Sequence, residues 1–261
     1  MGTLAWILAA TAVGGIASAA MAAVFLLVPE TPRAQLLPHL VSFATGALLG
    51  AALLALLPEA IAGAGLPRVG EIGVTLVVGI GVFFVLEKLL LWRHCHTEEC
   101  ETHAPDTHAH GRDRATGLLV LVGDGLHNAL DGVLIAAAFL TNTRLGIVTA
   151  LAIMAHEIPQ EIGSFGILLH AGMQRRSAWL LNLASSLTSM IGGLLAYFAL
   201  RRALELLPYA LAIAASSLIY IAVADLIPGL HRRVDARHSA AQVALISAGV
   251  VLIALMEDHV H

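Results

Sequence analysis

The sequence alternates between long hydrophobic runs and short polar breaks. An α-helix that crosses a bilayer needs roughly 20 predominantly apolar residues, and we find eight stretches of about this length. The breaks hold residues that end helices, such as the prolines at 29 and 32 and the polar run 141–144. The eight predicted spans are 4–28, 36–62, 70–92, 116–140, 145–171, 178–200, 206–226 and 240–256.

The composition agrees with a chain that lies in lipid. Hydrophobic residues make up 58% of it and charged residues 12%, whereas an ordinary soluble domain has about 25% charged residues. The net charge of −4 provides no basic face for phosphates, so we expect no nucleic-acid partner. Two cysteines are too few for a disulfide scaffold. We therefore predict an all-α membrane protein, one polytopic domain covering residues 1–261.

The positions of lysine and arginine predict the orientation in the membrane. If the N-terminus lies outside, ten of the 14 Lys and Arg residues fall on the cytoplasmic side, where such residues are enriched. With eight transmembrane helices, the C-terminus then lies outside as well.

The fourth predicted span carries polar and ionisable residues, which are costly to place in the hydrocarbon core of a bilayer. Asp124, His127 and Asp131 are spaced i, i+3 and i+7, and Asn128 is at i+4, so all four share one helical face. Each charged side chain at the bilayer centre costs about 2.5–3.5 kcal/mol on insertion scales. Something bound or paired must offset this cost.

The fifth span carries a second polar group at the same depth. His156 with Gln160, and Glu157 with Glu161, form two i,i+4 pairs. His127 and His156 each lie 11 residues into their spans, which is about 16–17 Å at 1.5 Å per residue. Because the two helices are antiparallel neighbours, their polar faces should meet near the middle of the membrane.

Imidazole nitrogens with carboxylate and amide oxygens suit borderline divalent metals such as Zn²⁺. The set has no thiolate, so it does not suit Cu(I). Spare carboxylates favour loose, exchangeable binding, which is typical of a metal that passes through. We therefore predict that helices 4 and 5 form a central metal-binding pair and that zinc is the transported substrate. Cd²⁺, Fe²⁺ and Mn²⁺ are further candidate substrates, and the ligands alone do not give their order of preference.

Three other interpretations remain open from the residues. The cluster is either structural hydrogen bonding between helices, an intramembrane zinc metalloprotease, or a metal-sensing receptor. The protease reading rests on His156-Glu157, which begins an H-E-x-x-H motif, but the fifth position is Gln160 and the second histidine ligand is missing. We therefore expect no enzymatic activity and no catalytic residue.

The two motifs resemble those of the ZIP (Zrt/Irt-like) family of divalent metal transporters, in the branch with H-N-x-x-D-G and H-E-x-P-x-E. Here they read His127-Asn128-Ala129-Leu130-Asp131-Gly132 and His156-Glu157-Ile158-Pro159-Gln160-Glu161. The resemblance extends to a histidine-rich loop after the third span and to Asp225-Leu226-Ile227-Pro228 in the seventh.

The resemblance implies a two-metal site at the membrane midplane. The principal site would hold His127, Asp131, His156 and Gln160. Asn128 and Glu157 would build the adjoining site, with Gln160 at a bridging position. Members of the family import metal into the cytosol, commonly as homodimers, and move a four-helix bundle against a scaffold. We expect the same here, in a cell (inner) membrane.

The sequence also departs from the family pattern. Gln160 replaces a more usual histidine and Ser164 a usual aspartate, while Ala51 and Ala55 occupy positions that are often aspartate and histidine. These changes bear on metal preference and entry route.

The stretch 93–115 is predicted to be a cytosolic loop that receives or senses metal. It holds five histidines and both cysteines, and neutral imidazole and thiolate both bind Zn²⁺. No phosphate-binding loop occurs in the chain, so we expect no nucleotide partner. His170 lies 14 residues after His156, close to the same helical face.

Overall fold

The computed structural model describes residues 2–94, 110–231 and 236–258, and these ranges are helical with no strand. The predicted histidine-rich loop lies mostly outside them. The α-helices are α1 Thr3–Phe25, α2 Glu30–Gly50, α3 Leu57–Ala64, α4 Val69–His94, α5 His110–Thr141, α6 Thr143–His170, α7 Arg175–Ser186, α8 Thr188–Leu200, α9 Leu207–Tyr220, α10 Ile227–Leu230 and α11 Ala236–Asp258.

Seven segments of the described chain are long and apolar enough to cross a membrane. This confirms the prediction of an all-α, multi-pass membrane protein. The seven segments are Thr3–Phe25, Thr31–Ala64, Leu66–Leu89, Val120–Thr141, Arg175–Leu200, Leu204–Leu230 and Arg237–Glu257.

The predicted fifth span is helical but is not one of these seven. It corresponds to α6, which has 28 residues. Its histidine, glutamates and glutamine reduce the mean hydropathy of the helix. The helix begins at a regular N-cap, where the Asn142 side chain accepts a hydrogen bond of 2.8 Å from the backbone N–H of Leu145.

The helices form two groups. The first group contains α1, α5, α6, α7 and α8, and the second contains α2, α3, α4, α9 and α11. The groups meet chiefly where α2 packs on α6 and where α9 packs on α5. The helices α5 and α6 therefore lie inside the first group and also border the second.

Two π-helical segments interrupt the second group, Ala51–Leu56 and Ile221–Leu226. The second residue after each segment is a proline, Pro58 or Pro228, in the first turn of the next helix. A proline lacks the backbone donor and clashes with the carbonyl four residues earlier, and a wider π turn accommodates both effects. The similar Leu-Leu-Pro and Leu-Ile-Pro sequences thus produce the same local backbone.

The sixth predicted span, 178–200, contains a break that the hydrophobic pattern does not show. The helix α7 ends at Ser186 and α8 begins at Thr188. A cluster of serines occupies this point, and the hydroxyl oxygens of Ser185 and Ser186 lie 2.8 and 2.9 Å from the carbonyl oxygen of Asn182. Serine side chains that lie this close to the carbonyl of the preceding turn are common where a helix bends.

Glycines allow the closest helix contacts. A Cβ atom at Gly192 of α8 would lie 1.8 Å from the carbonyl oxygen of Ala129, and one at Gly46 of α2 would lie 2.0 Å from that of Ile246. Both distances are far inside van der Waals contact. In lipid, helix association depends on such close backbone approach.

We expect Gly46→Ala to destabilise the protein by about 1–3 kcal/mol, because the new methyl group forces α2 and α11 apart. Thermal unfolding in detergent measures the effect. Gly73→Ala on α4 is the matched control, since a Cβ there meets no atom within 4 Å. Equal melting temperatures for the two variants would contradict the packing described here.

Candidate metal centre

Three ligand atoms meet between α5 and α6. The Nε2 atom of His127 lies 3.3 Å from Nε2 of His156 and 3.4 Å from Oδ2 of Asp131. The Nε2 atom of His156 lies 3.6 Å from the same Asp131 oxygen. The three atoms form a nearly equilateral triangle.

The size of this triangle fits a zinc ion. Tetrahedral zinc, with ligand distances of roughly 2.0–2.2 Å, holds neighbouring ligand atoms roughly 3.3–3.6 Å apart. The three measured separations of 3.3, 3.4 and 3.6 Å lie in this range. Two imidazole nitrogens and one carboxylate oxygen are also a common ligand set for zinc with an open fourth position.

Local helix geometry and the α5–α6 hairpin create this arrangement. His127 and Asp131 are one turn apart on α5, so their side chains overlap on one face. The single residue Asn142 separates α5 from α6, so the two helices lie antiparallel and side by side. His156 then reaches the level of His127 from the opposite helix.

The site is closed on most sides but not sealed. The side chains of Asp131 and His156 are each 1% exposed, whereas that of His127 is 27% exposed. The centre is therefore least covered at His127.

Three buried oxygens accept no hydrogen bond within the described residues: Asp131 Oδ2, which is a vertex of the triangle, and Asn128 Oδ1 and Glu161 Oε2. A buried acceptor without a partner costs about 1–3 kcal/mol. A divalent cation would satisfy such oxygens directly. These atoms therefore mark where ligands for a cation are available.

Asp124 differs, because both of its oxygens are occupied. Its Oδ1 accepts hydrogen bonds of 3.1 Å from the Gln160 amide and 3.1 Å from the Ser164 hydroxyl. Its Oδ2 accepts one of 2.6 Å from the Ser185 hydroxyl and a long one of 3.5 Å from the Asn128 amide. All four donors are neutral, so they orient the carboxylate without cancelling a charge.

Only one oxygen of the Glu161 side chain accepts hydrogen bonds within the described residues. Its Oε1 accepts a hydrogen bond of 2.7 Å from the Ser186 hydroxyl and a long one of 3.5 Å from the Asn128 amide. Because the Asn128 amide nitrogen donates to both Asp124 and Glu161, its oxygen is left as the free acceptor.

Glu157 faces α1. A Cβ at Gly14 of this helix would lie 3.9 Å from the Glu157 Oε2 atom. Thr11, Gly14 and Gly15 line a small cavity beside it. Glu157 is not among the three residues whose ligand atoms converge.

The eight predicted site residues therefore form three groups in the structure. His127, Asp131 and His156 converge. Asp124, Asn128, Gln160 and Glu161 form the adjoining hydrogen-bonded network, in which the Gln160 nitrogen is turned toward Asp124. Glu157 lies on the α1 side of α6.

The sequence analysis missed the hydroxyl donors from α7, Ser185 and Ser186. The signal that would have revealed them is the run Asn182-Leu183-Ala184-Ser185-Ser186, which places small polar residues inside an apolar span. Both serines are buried. Their partners Asp124 and Glu161 are on different helices.

Other predicted features are not among the three residues whose ligand atoms converge. The Nδ1 atom of His170 lies 2.9 Å from the carbonyl oxygen of Gly166, on an exposed part of α6. Ala51 and Ala55 are buried in the hydrophobic core, at 0% and 2% exposure. The loop cysteines and His96, His103 and His108 lie outside the described residues.

A bundle of apolar helices that holds buried nitrogen and oxygen ligands at one level defines a polytopic membrane protein with an internal cation site. Comparison with known proteins agrees. Residues 93–257 match the family described as ZIP zinc transporter. The chain is similar to zinc transporter ZIP13 of Pongo abelii, with 33% identity over 84% of this chain and 66% of that protein.

Two human proteins are also similar. Zinc transporter ZIP13 of Homo sapiens is 31% identical over 84% of this chain and 70% of its own length. Zinc transporter ZIP4 of Homo sapiens is 40% identical over 46% of this chain and 18% of its own length. The chain belongs to the ZIP family of zinc transporters. It is therefore a membrane transporter and not an enzyme, which rejects the metalloprotease alternative.

We expect His156→Ala to lower zinc affinity by more than about tenfold. Loss of a residue that only supports a metal ligand already costs about 10- to 100-fold in affinity, and His156 is itself a proposed ligand. Isothermal titration calorimetry on the purified protein in detergent measures this. The His and Cys residues between 94 and 110 are first replaced by alanine, so that they bind no zinc.

His39→Ala is the control for this measurement, because Nδ1 of His39 lies 2.7 Å from the Gln35 carbonyl on α2 and away from the triangle. Similar zinc affinity in both variants would refute the assignment of His156 as a ligand.

Proposed function

We propose that the protein carries zinc across the membrane through the triangle of His127, Asp131 and His156. The observation that carries the proposal is the match between the three ligand separations and those of tetrahedral zinc. The similar proteins named above are zinc transporters. The partial exposure of His127 gives the ion a way in and out.

We propose that the adjoining network holds a second metal ion. Its ligands would be Asn128 and Glu161, each of which has a buried free oxygen, together with Glu157 and, after rotation of its amide, Gln160. Asp124 would bind metal only if it exchanged hydrogen-bond partners. A binuclear centre spreads the cost of dehydrating each ion over two sets of ligands.

The proposed topology has eight spans in one domain. The helix α6 is the polar fifth span, and it is tolerated in the membrane because its ionisable face packs against α1, α5 and α7. Both termini lie outside and residues 93–115 face the cytosol, in accordance with the bias of positive charge. A cell (inner) membrane and a homodimer complete the proposal.

Import into the cytosol needs no nucleotide. An inside-negative potential favours entry of a divalent cation by about 4.6 kcal/mol per 100 mV, twice the value for one charge. The concentration gradient of the metal adds to this. Ligands that are loosely held and partly accessible permit release on the cytosolic side.

Asp131→Ala should abolish uptake of radiolabelled zinc into proteoliposomes, because it removes the one carboxylate shared by both histidines. Glu205→Ala is the control, since Glu205 is exposed in the short helix Leu204–Leu206 at the end of the bundle. Uptake by the Asp131 variant at the wild-type rate would end the proposal. Zinc binding by the wild type without uptake would instead indicate a receptor.

Competition among metals should follow the donor chemistry. Unlabelled Cd²⁺ should reduce zinc uptake strongly, and Mg²⁺ in about 100-fold excess should reduce it little, because Mg²⁺ prefers octahedral oxygen ligands over imidazole. Initial rates in proteoliposomes give the ranking, and Fe²⁺ and Mn²⁺ are tested in the same series. Strong inhibition by Mg²⁺ would show that the histidines are not ligands.

A further inference from the structure

We propose that Ser185 and Ser186 of α7 are positioning residues that give the two neighbouring carboxylates different roles. Ser186 holds Glu161 with one oxygen free for metal, and Ser185 completes the set of donors that keeps Asp124 as an anchor. This inference rests on the proposed transport of zinc. It adds to the centre a third helix, which contributes no metal ligand.

The contrast between the two carboxylates carries the inference. Asp124 accepts from four donors, two on each oxygen. Glu161 accepts from two donors, both on Oε1, while its buried Oε2 accepts none. A carboxylate offers about four lone-pair positions. Asp124 has none left for a cation, whereas Glu161 keeps one oxygen available.

The serine hydroxyls make the shortest bonds in this network. Ser185 donates at 2.6 Å to Asp124 and Ser186 donates at 2.7 Å to Glu161. Both distances lie at the short end of the usual range for O–H···O hydrogen bonds, roughly 2.5–3.0 Å. Both serines are at least 95% buried, with exposures of 5% and 0%, so water does not replace a lost hydroxyl easily.

Helix geometry explains why the adjacent residues Ser185 and Ser186 have partners on different helices. Ser185 and Ser186 are separated by about 100° around α7, so one faces α5 and the other faces α6. Their partners accordingly belong to α5 and α6. One turn of α7 thus controls a carboxylate on each of the two metal-binding helices.

The two serines should respond differently to truncation. In Ser186→Ala the Glu161 carboxylate loses its short donor, and we expect the KM for zinc uptake to rise about tenfold with little change in maximal rate. In Ser185→Ala the Asp124 carboxylate keeps three of its four donors, and we expect the KM for zinc uptake to rise by less than about threefold. Initial rates of labelled zinc uptake into proteoliposomes measure both.

Ser216→Ala is the matched control. Ser216 is also buried, and its hydroxyl donates at 2.7 Å to the Ile213 carbonyl of its own helix, in the other group of helices. This variant should keep the KM of the wild type. Melting temperatures in detergent show whether each variant is folded.

A binding cycle tests the inference without relying on transport. Zinc affinity is measured by calorimetry for the wild type, Ser186→Ala, Glu161→Gln and the double variant, with the His and Cys residues of 94–110 replaced by alanine. We expect the Ser186 substitution to have no further effect once Glu161 is altered, because the hydroxyl acts through that carboxylate.

The outcomes separate the two proposals. Additive effects in the cycle, or equal effects of the Ser185 and Ser186 substitutions, would overturn the positioning roles. A wild-type protein that binds zinc but does not transport it would overturn the proposed function, while the cycle would still decide the roles of the serines.

Discussion

The architecture depends on keeping ionisable groups at the level of the hydrocarbon core. Such groups are stable there only when they are paired, hydrogen-bonded or bound to a cation. In this protein α5 and α6 concentrate them at one level, and the surrounding helices supply neutral donors. These donors orient the carboxyl groups and carry no charge of their own.

The two groups of helices contribute in different ways. The ligands and hydroxyl donors described above all belong to α5, α6 and α7, within the first group, so the centre can stay intact if that group moves as a unit. The second group is more apolar and contains the two π segments before Pro58 and Pro228. His127 is the most exposed of the three convergent residues, so it marks the least covered side of the centre.

The departures from the family pattern have a common structural consequence. Gln160 and Ser164 stand where histidine and aspartate are usual in the resembling branch, and both donate to the same oxygen of Asp124. A carboxylate at position 164 would repel Asp124 instead of binding it. In this structure Gln160 and Ser164 therefore both support Asp124 as hydrogen-bond donors.

Much of this protein was predictable from the order of its residues. Hydrophobic runs predicted the helices, and the i, i+3, i+4 and i+7 spacings placed His127, Asp131 and His156 on facing sides, because helix geometry and a short hairpin are local properties. Three features required the tertiary structure: the break at Leu187, the hydrogen bond of Gln160 to Asp124, and the contribution of Ser185 and Ser186. The last two depend on side chains from helices distant in sequence, up to 61 residues apart for Ser185 and Asp124. Which rotamer a buried amide or hydroxyl adopts is decided by the packing of those helices, and no periodicity in the sequence encodes it.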